Sequence, residues 1–137
     1  MSKKLDIVYN FGKDVIVKSR DMTIQENFEI VDGKSRAPSD IALYDEIHDL
    51  NIKQRNTIKK IIINCIDGAI NNFIWMMEQN NDKYAFIAKN EENSFDLEQE
   101  SDGLCVGQYE FIEQYSKYNN ILDILETGKI EKEPIDK

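Results

Sequence analysis

The sequence predicts an α+β domain, mainly helical, built round one long central helix with a small antiparallel sheet. Three observations carry that prediction. Residues 51–79 keep an unbroken helical pattern that is apolar on almost every side. Residues 83–106 alternate in the rhythm of short strands punctuated by turn formers. The 137 residues, 41% of them hydrophobic and twenty of them Ile, suffice for one core. Residues 1–128 are assigned to a single globular domain, and residues 129–137, with mixed charge and Pro134, to a frayed tail.

Taken in order, residues 4–18 fit two patterns. Leu5, Ile7, Tyr9 and Phe11 alternate as a strand would, while Leu5, Val8, Gly12, Val15 and Ile16 share a helical face. Helix is preferred, although Gly12 and the β-branched residues weaken it. Thr23-Ile-Gln-Glu26 has the spacing of a capping box and opens a helix over 23–32, with Ile24, Phe28 and Val31 on one face and Gly33 as its stop. Pro38 and Ser39 open a helix to about Leu50, whose apolar stripe is Leu43, Ile47 and Leu50, joined by Tyr44. Asn51, with Gln54 three residues on, caps the long helix.

Within that helix Lys60, Asn64, Asp67, Asn71 and Glu78 fall within roughly 60° of one another at about 100° per residue. They form a narrow polar seam. The rest, including Phe73, Trp75, Met76 and Met77, is apolar and reads as packed on several sides. Gly68, beside the seam, would let another element approach closely. Beyond a break at 80–82, Tyr84–Lys89 and Ser94–Glu98 read as a hairpin, and Leu104–Val106 as a short third strand. Gln108–Lys117 reads as a helix with Tyr109, Ile112 and Tyr115 inward. Asn119 or Asn120 caps a last helix bearing Ile121, Ile124 and Leu125 and ending at Gly128.

Charge narrows the function classes. Seventeen Lys+Arg against 26 Asp+Glu leave a net charge of −9. A basic patch for nucleic-acid backbone is therefore not expected, nor attraction to an anionic membrane surface. Asp6, Asn10, Lys13 and Asp14 interrupt any apolar signal segment, and no run approaches a membrane span, so a cytoplasmic location is expected. Cys65 and Cys105 read as two buried thiols of a reducing compartment rather than a disulfide. With the one histidine, His48, they cannot fill a four-ligand zinc site, and neither metal nor cofactor is expected. His48, near Asp45 and Asp49, reads as a helix-surface residue more readily than as a general base. Nucleophile-elbow, phosphate-loop, dinucleotide and EF-hand patterns are missing, so no catalytic residue is assigned.

Two constellations remain. Glu91, Glu92, Asp96, Glu98, Glu100 and Asp102 fall in twelve residues without a Lys or Arg. Their field would speed encounter with a basic partner and favour it over others. Tyr109, with Tyr115 and Tyr118 close behind, could supply anchors. The plainer reading is a solvated edge strand whose charges discourage edge-to-edge pairing. The second constellation is the seam of Asn64, Asp67 and Asn71. A half-buried Asp among amides could act as a base or hold a ligand, and would then lie under a concave pocket. In the plainer reading the amides bond loop backbone and Asp67 pairs with a basic side chain.

Three stretches carry a resemblance: Arg36-Ala-Pro38-Ser-Asp-Ile-Ala-Leu-Tyr44-Asp-Glu-Ile47, Ile66-Asp67-Gly-Ala-Ile-Asn71-Asn-Phe73-Ile-Trp75, and Ser101-Asp102-Gly103-Leu104 with Tyr115-Ser116. Together they resemble a family of small acidic bacterial proteins of unknown function, whose pattern has His where Asn71 stands here. That resemblance implies no activity. In size, acidity and want of catalytic motifs the chain is also similar to immunity proteins that neutralise bacterial toxins. The expectation is thus a non-catalytic cytoplasmic protein that blocks a basic toxin domain, such as a nuclease, with its acidic face. The alternatives are a small ligand-binding or enzymatic domain using the seam, and a homo-oligomer joined through the hairpin or the helix over 38–50.

Overall fold

The computed structural model describes residues 3–101, 103–104 and 107–134. It opens with one long helical rod. Helix α1 (Lys3–Asp14), a π-helical segment (Val15–Asp21) and α2 (Met22–Val31) follow one another without a break. The helix preferred for the N-terminal stretch is present, but no new helix begins at Thr23. Its hydroxyl donates to the Ser19 carbonyl at 2.7 Å, one turn back, instead of capping. The rod ends at Gly33, whose φ of 70° is the left-handed conformation that glycine adopts at little cost.

Pro38 occupies the first turn of α3 (Pro38–Ile47), where its missing N–H costs nothing. No residue of α3 is buried and Leu43 is 52% exposed, so the expected stripe of Leu43, Ile47 and Leu50 is not a core face. The Tyr44 ring instead lies where a side chain on Gly33 would stand. Helix α4 (Ile52–Gln79) starts at the reciprocal capping box of Asn51 and Gln54, as its sequence predicts. It is not packed all round. Ile63 and Ile74 are buried, whereas Ile61, Cys65, Phe73 and Trp75 face solvent. The rod and α7 cover one flank of α4 and leave the other open.

Strands β1 (Ile87–Asn90) and β2 (Asn93–Asp96) pair antiparallel, with Ile87 opposite Asp96 and Asn90 opposite Asn93. The expected return strand over 94–98 stops at Asp96. The Asp96 carboxylate accepts from the Glu98 and Gln99 N–H groups and so starts a helical turn, α5 (Leu97–Glu100). Of the expected third strand, Leu104 is a buried turn residue, and Cys105 and Val106 lie outside the described residues. Helix α6 (Gln108–Tyr115) turns Phe111 and Ile112 inward, but Tyr109, expected inward, is 55% exposed. Helix α7 (Ile121–Thr127) is capped by Asn120 and stopped by Gly128 at φ 76°.

The stretch after Gly128 does not fray as far as Lys132. The Asn119 N–H donates to the Ile130 carbonyl, and the Lys132 N–H to the Lys117 carbonyl, each at 2.9 Å. Lys132 Nζ donates to the Ile112 and Glu113 carbonyls at the end of α6, the negative pole of that helix.

Two apolar clusters hold these elements. Val8, Ile16, Ile74, Leu97, Leu104, Phe111 and Ile112 form one, and Ile24, Phe28, Ile63, Tyr118 and Ile124 the other. Ile16 shares a cluster with Ile74, and Ile24 with Ile63, so the rod and α4 run antiparallel. Each such side chain contributes about 1.5–3 kcal/mol when removed from water.

Candidate functional site

Between the two clusters lies a buried charge network. A π turn closes i→i+5 bonds, which places residues i+4 and i+5 on either side of residue i. Ile16, Arg20 and Asp21 therefore all face inward from the π segment, and Arg20 is fully buried. Its Nε and Nη2 donate to the two Asp67 carboxylate oxygens at 2.5 and 3.1 Å, a bidentate pair joining the rod to α4. Nη2 also reaches the Asn119 carbonyl at 3.3 Å. Nη1 donates to Ser116 Oγ at 2.7 Å and to the Tyr118 carbonyl at 3.4 Å. The Ser116 hydroxyl donates to Asp21 Oδ1 at 2.6 Å, and the Lys117 N–H to Asp21 Oδ2 at 2.9 Å. Every guanidinium N–H has an acceptor, as a buried charge requires. The seam's acid is thus the partner of a basic side chain.

The other seam residues border open space. A cavity of about 200 Å³ lies over α4 between Asn64, Asp67 and Asn71 on one side and Gln108 and Tyr109 on the other. Ile112, Asn120 and Ile121 complete its wall. Gly68 lines it too, and a Cβ built there would meet nothing within 4 Å. No element approaches Gly68 closely, contrary to expectation. Gln108, 2% exposed, donates from Nε2 to the Leu104 carbonyl at 3.1 Å, while its Oε1 accepts from no described donor.

The acidic stretch lies on the hairpin and α5. Glu91 and Glu92 form the exposed two-residue turn. Glu91 has φ 50°, a left-handed conformation that costs a side chain of its size roughly 1–2 kcal/mol. Asp96 is the α5 cap, and Glu98 and Glu100 are half-buried; Asp102 lies outside the described residues. Burial, then the charges of Glu78 and Asp96, raises the Glu98 carboxyl above its ordinary value of 4.5. Glu78 of α4 thus joins the acids of the hairpin. Among the described residues, no ion pair ties Glu91, Glu92, Asp96 or Glu98 to a lysine or arginine.

Beside this acidic face runs an apolar groove of about 340 Å³, lined by Phe11 and Val15 of the rod, Ala69, Ile70 and Phe73 of α4, and Phe86. Phe86 joins groove to hairpin, because its carbonyl accepts the Leu97 N–H at 2.9 Å and prolongs the ladder. Phe73, Tyr84 and Ile87 are each at least half exposed. Sequence reasoning missed these anchors because Phe73 fell among residues read as core. Of the anchors it named, Tyr109 borders the seam cavity, Tyr115 packs against the first cluster, and Tyr118 is buried in the second and offers no surface to a partner.

The remaining chemistry is sparse. His48 lies on the surface, with Nε2 2.8 Å from Asp49 Oδ1 and Nδ1 2.7 Å from the Asp45 carbonyl oxygen. Cys65 is a free, exposed thiol, not the buried one expected, and Cys105 lies outside the described residues. Among the described residues no cluster of three or more His, Cys, Asp or Glu could hold a metal ion, and no helix is long and apolar enough to cross a membrane. No protein-family model, curated protein or solved structure matches the chain.

Proposed function

We propose that this chain is a non-catalytic binding protein of the immunity type, which lays its acidic hairpin over the cationic surface of a toxin domain. The observation that carries this reading is the gathering of Glu91, Glu92, Asp96 and Glu98, with Glu78 behind them, and no described cation paired to the hairpin acids. Burial first, and then the neighbouring charges of Glu78 and Asp96, raise the pKa of the Glu98 carboxyl, and exposed charge of one sign leaves its field to a partner. The adjoining groove supplies what charge alone cannot. Phe73, Phe86, Tyr84 and Ile87 offer desolvated contact area beside the charges, the combination that anchors protein interfaces. The exposed thiol of Cys65 suits the reducing cytoplasm, where such a protein would guard its host.

Both oxygens of Asp67 accept from Arg20, which gives that carboxylate a structural task in place of proton transfer. Glu91 adds a second argument. A glutamate held at φ 50° keeps its charge at a cost that glycine would remove. Glu91→Gly should therefore raise stability by up to about 1 kcal/mol in thermal unfolding. The same change should weaken partner binding.

Affinity capture from a lysate of the source organism tests the reading. The immobilised wild-type chain should retain a basic protein, and the Glu91→Gln, Glu92→Gln, Glu98→Gln triple variant should lose it. Asp96 is left in place because it caps α5. Equal retention by both chains, or no basic protein on the wild type, would contradict the proposal.

A further inference from the structure

We propose that the uncovered flank of α4 is a dimer interface, on which α4 of a second copy of this chain packs antiparallel. The surface follows from helical spacing. At about 100° per residue, Ile61, Cys65, Ala69, Phe73 and Trp75 fall within an arc of roughly 160°. All five are exposed, and Ile61, Phe73 and Trp75 each keep more than half of their surface. No charged residue enters that arc between Ile58 and Met76, and Asn72 is its one polar side chain. The run spans about 27 Å of helix at 1.5 Å per residue. A contiguous apolar strip of that length marks a surface that associates.

Charge identifies what covers it. Lys53, Arg55, Lys59 and Lys60 lie between Asn51 and Ile66, with no acid among them. From Ile61 to Asp82 there is no Lys or Arg, and the acids are Asp67, Glu78 and Asp82. The helix is therefore positive towards its N-terminus and negative towards its C-terminus, and its dipole has the same sense. A uniformly basic toxin would meet repulsion at the first half. An antiparallel second copy offers the reverse polarity at each end, whereas a parallel one would oppose like charges. Two-fold symmetry thus makes the face its own complement.

The pattern also sets the register. With the axis near Gly68, midway between Ile61 and Trp75, Ile61 of one copy packs on Trp75 of the other. A Cβ at Gly68 would meet nothing within 4 Å, so the two backbones have room to cross there. Lys53 then comes beside Asp82 of the other copy. Lys59 and Asp67 are paired within the chain, but Lys53 and Asp82 are exposed and, among the described residues, take part in no ion pair. Neither the hairpin nor α3 is needed. Ala69 and Phe73 also line the groove beside the hairpin, so a toxin seated there would displace the second copy. Self-pairing itself requires no toxin, and its test uses none.

Light scattering on the full chain at about 100 μM, where a dimer of micromolar affinity is largely formed, provides that test. The mass should be twice the 16.0 kDa of one chain. Trp75 is the only tryptophan in the sequence, and its emission should shift to the blue over the concentration range in which the mass doubles. Ala69→Arg brings two like charges together near the axis and should weaken association at least tenfold. The site is exposed, so the circular dichroism spectrum should not change. Lys53→Asp and Asp82→Lys should each weaken association, and the double variant should regain the wild-type affinity. A monomer mass at that concentration, a dimer with unshifted tryptophan emission, undiminished pairing of Ala69→Arg, or a double variant no stronger than its parents would overturn the proposal.

Discussion

Arg20 is the residue on which the rod, α4 and the α6–α7 connection converge, and its worth depends on every partner staying in place. Removing one member of such a network leaves the opposite charge buried and unpaired. Asp67→Ala should therefore lower the unfolding free energy by about 3–5 kcal/mol in urea denaturation. A loss below about 1 kcal/mol would mean the pair behaves like a surface ion pair. Its partnership was half legible in the sequence. Asp67 announces itself as an acid on an apolar helix, which demands a cation. Arg20 stands at the i+4 position between Ile16 and Ile24, both of them core residues. The spacing could have named it, but the π segment shifts the helical phase at that point, so an α-helical reading breaks there.

Glu98 gives the residue scale its pH signature. Its folded-state pKa is raised, so the native chain holds that proton more tightly than the unfolded chain does. Stability accordingly falls as pH climbs from the ordinary glutamate value through the raised one. Glu98→Gln removes the ionisable group. The variant should melt above the wild type at about pH 7 and show no such advantage at about pH 3. A constant difference across that range, read by circular dichroism, would assign the effect to packing instead.

Among the elements, those declared by their own ends were the most legible. Asn51 with Gln54, and Asn120 with Gly128, state start and stop in local hydrogen-bond chemistry, and both helices lie where those residues place them. Thr23 misled because a hydroxyl that can cap a helix can equally bond back one turn within a continuing one. Periodicity could not say that the apolar flank of α4 bearing Ile61, Phe73 and Trp75 stays uncovered, since that depends on how many elements pack against it. The hairpin was legible from its alternation and turn residues, but not its early end, which the Asp96 cap decides. The α1–α6 contact depends on Gly12, where a Cβ would stand 2.5 Å from the Phe111 ring. Gly12→Ala should destabilise by about 1–3 kcal/mol, as overpacking does. Phe111→Leu in the Gly12→Ala background should recover part of that loss in the same urea assay.

For the whole molecule, a net charge of −9 is the quantity that the sequence stated most plainly. The fold adds its distribution. The charge of three cations is spent internally, Arg20 on Asp67, Lys59 on Asp32 and Lys132 on the α6 carbonyls, while Lys89 stands exposed on β1 of the hairpin. The hairpin acids keep theirs for the surface beside the groove at Phe73 and Phe86. The seam cavity was legible only as a polar stripe, because its opposite wall, Gln108 and Tyr109, comes from an element more than thirty residues away in the chain. A partner drawn by exposed charge should bind more slowly and more weakly as salt screens the field.

The most direct test is a calorimetric titration of the captured basic partner with the wild-type chain and with the Glu91→Gln, Glu92→Gln, Glu98→Gln variant, each at low and high salt. The account predicts that affinity drops at least tenfold on neutralising the acids, and that salt weakens the wild type far more than the variant. Equal affinities for the two chains, unchanged by salt, would contradict it.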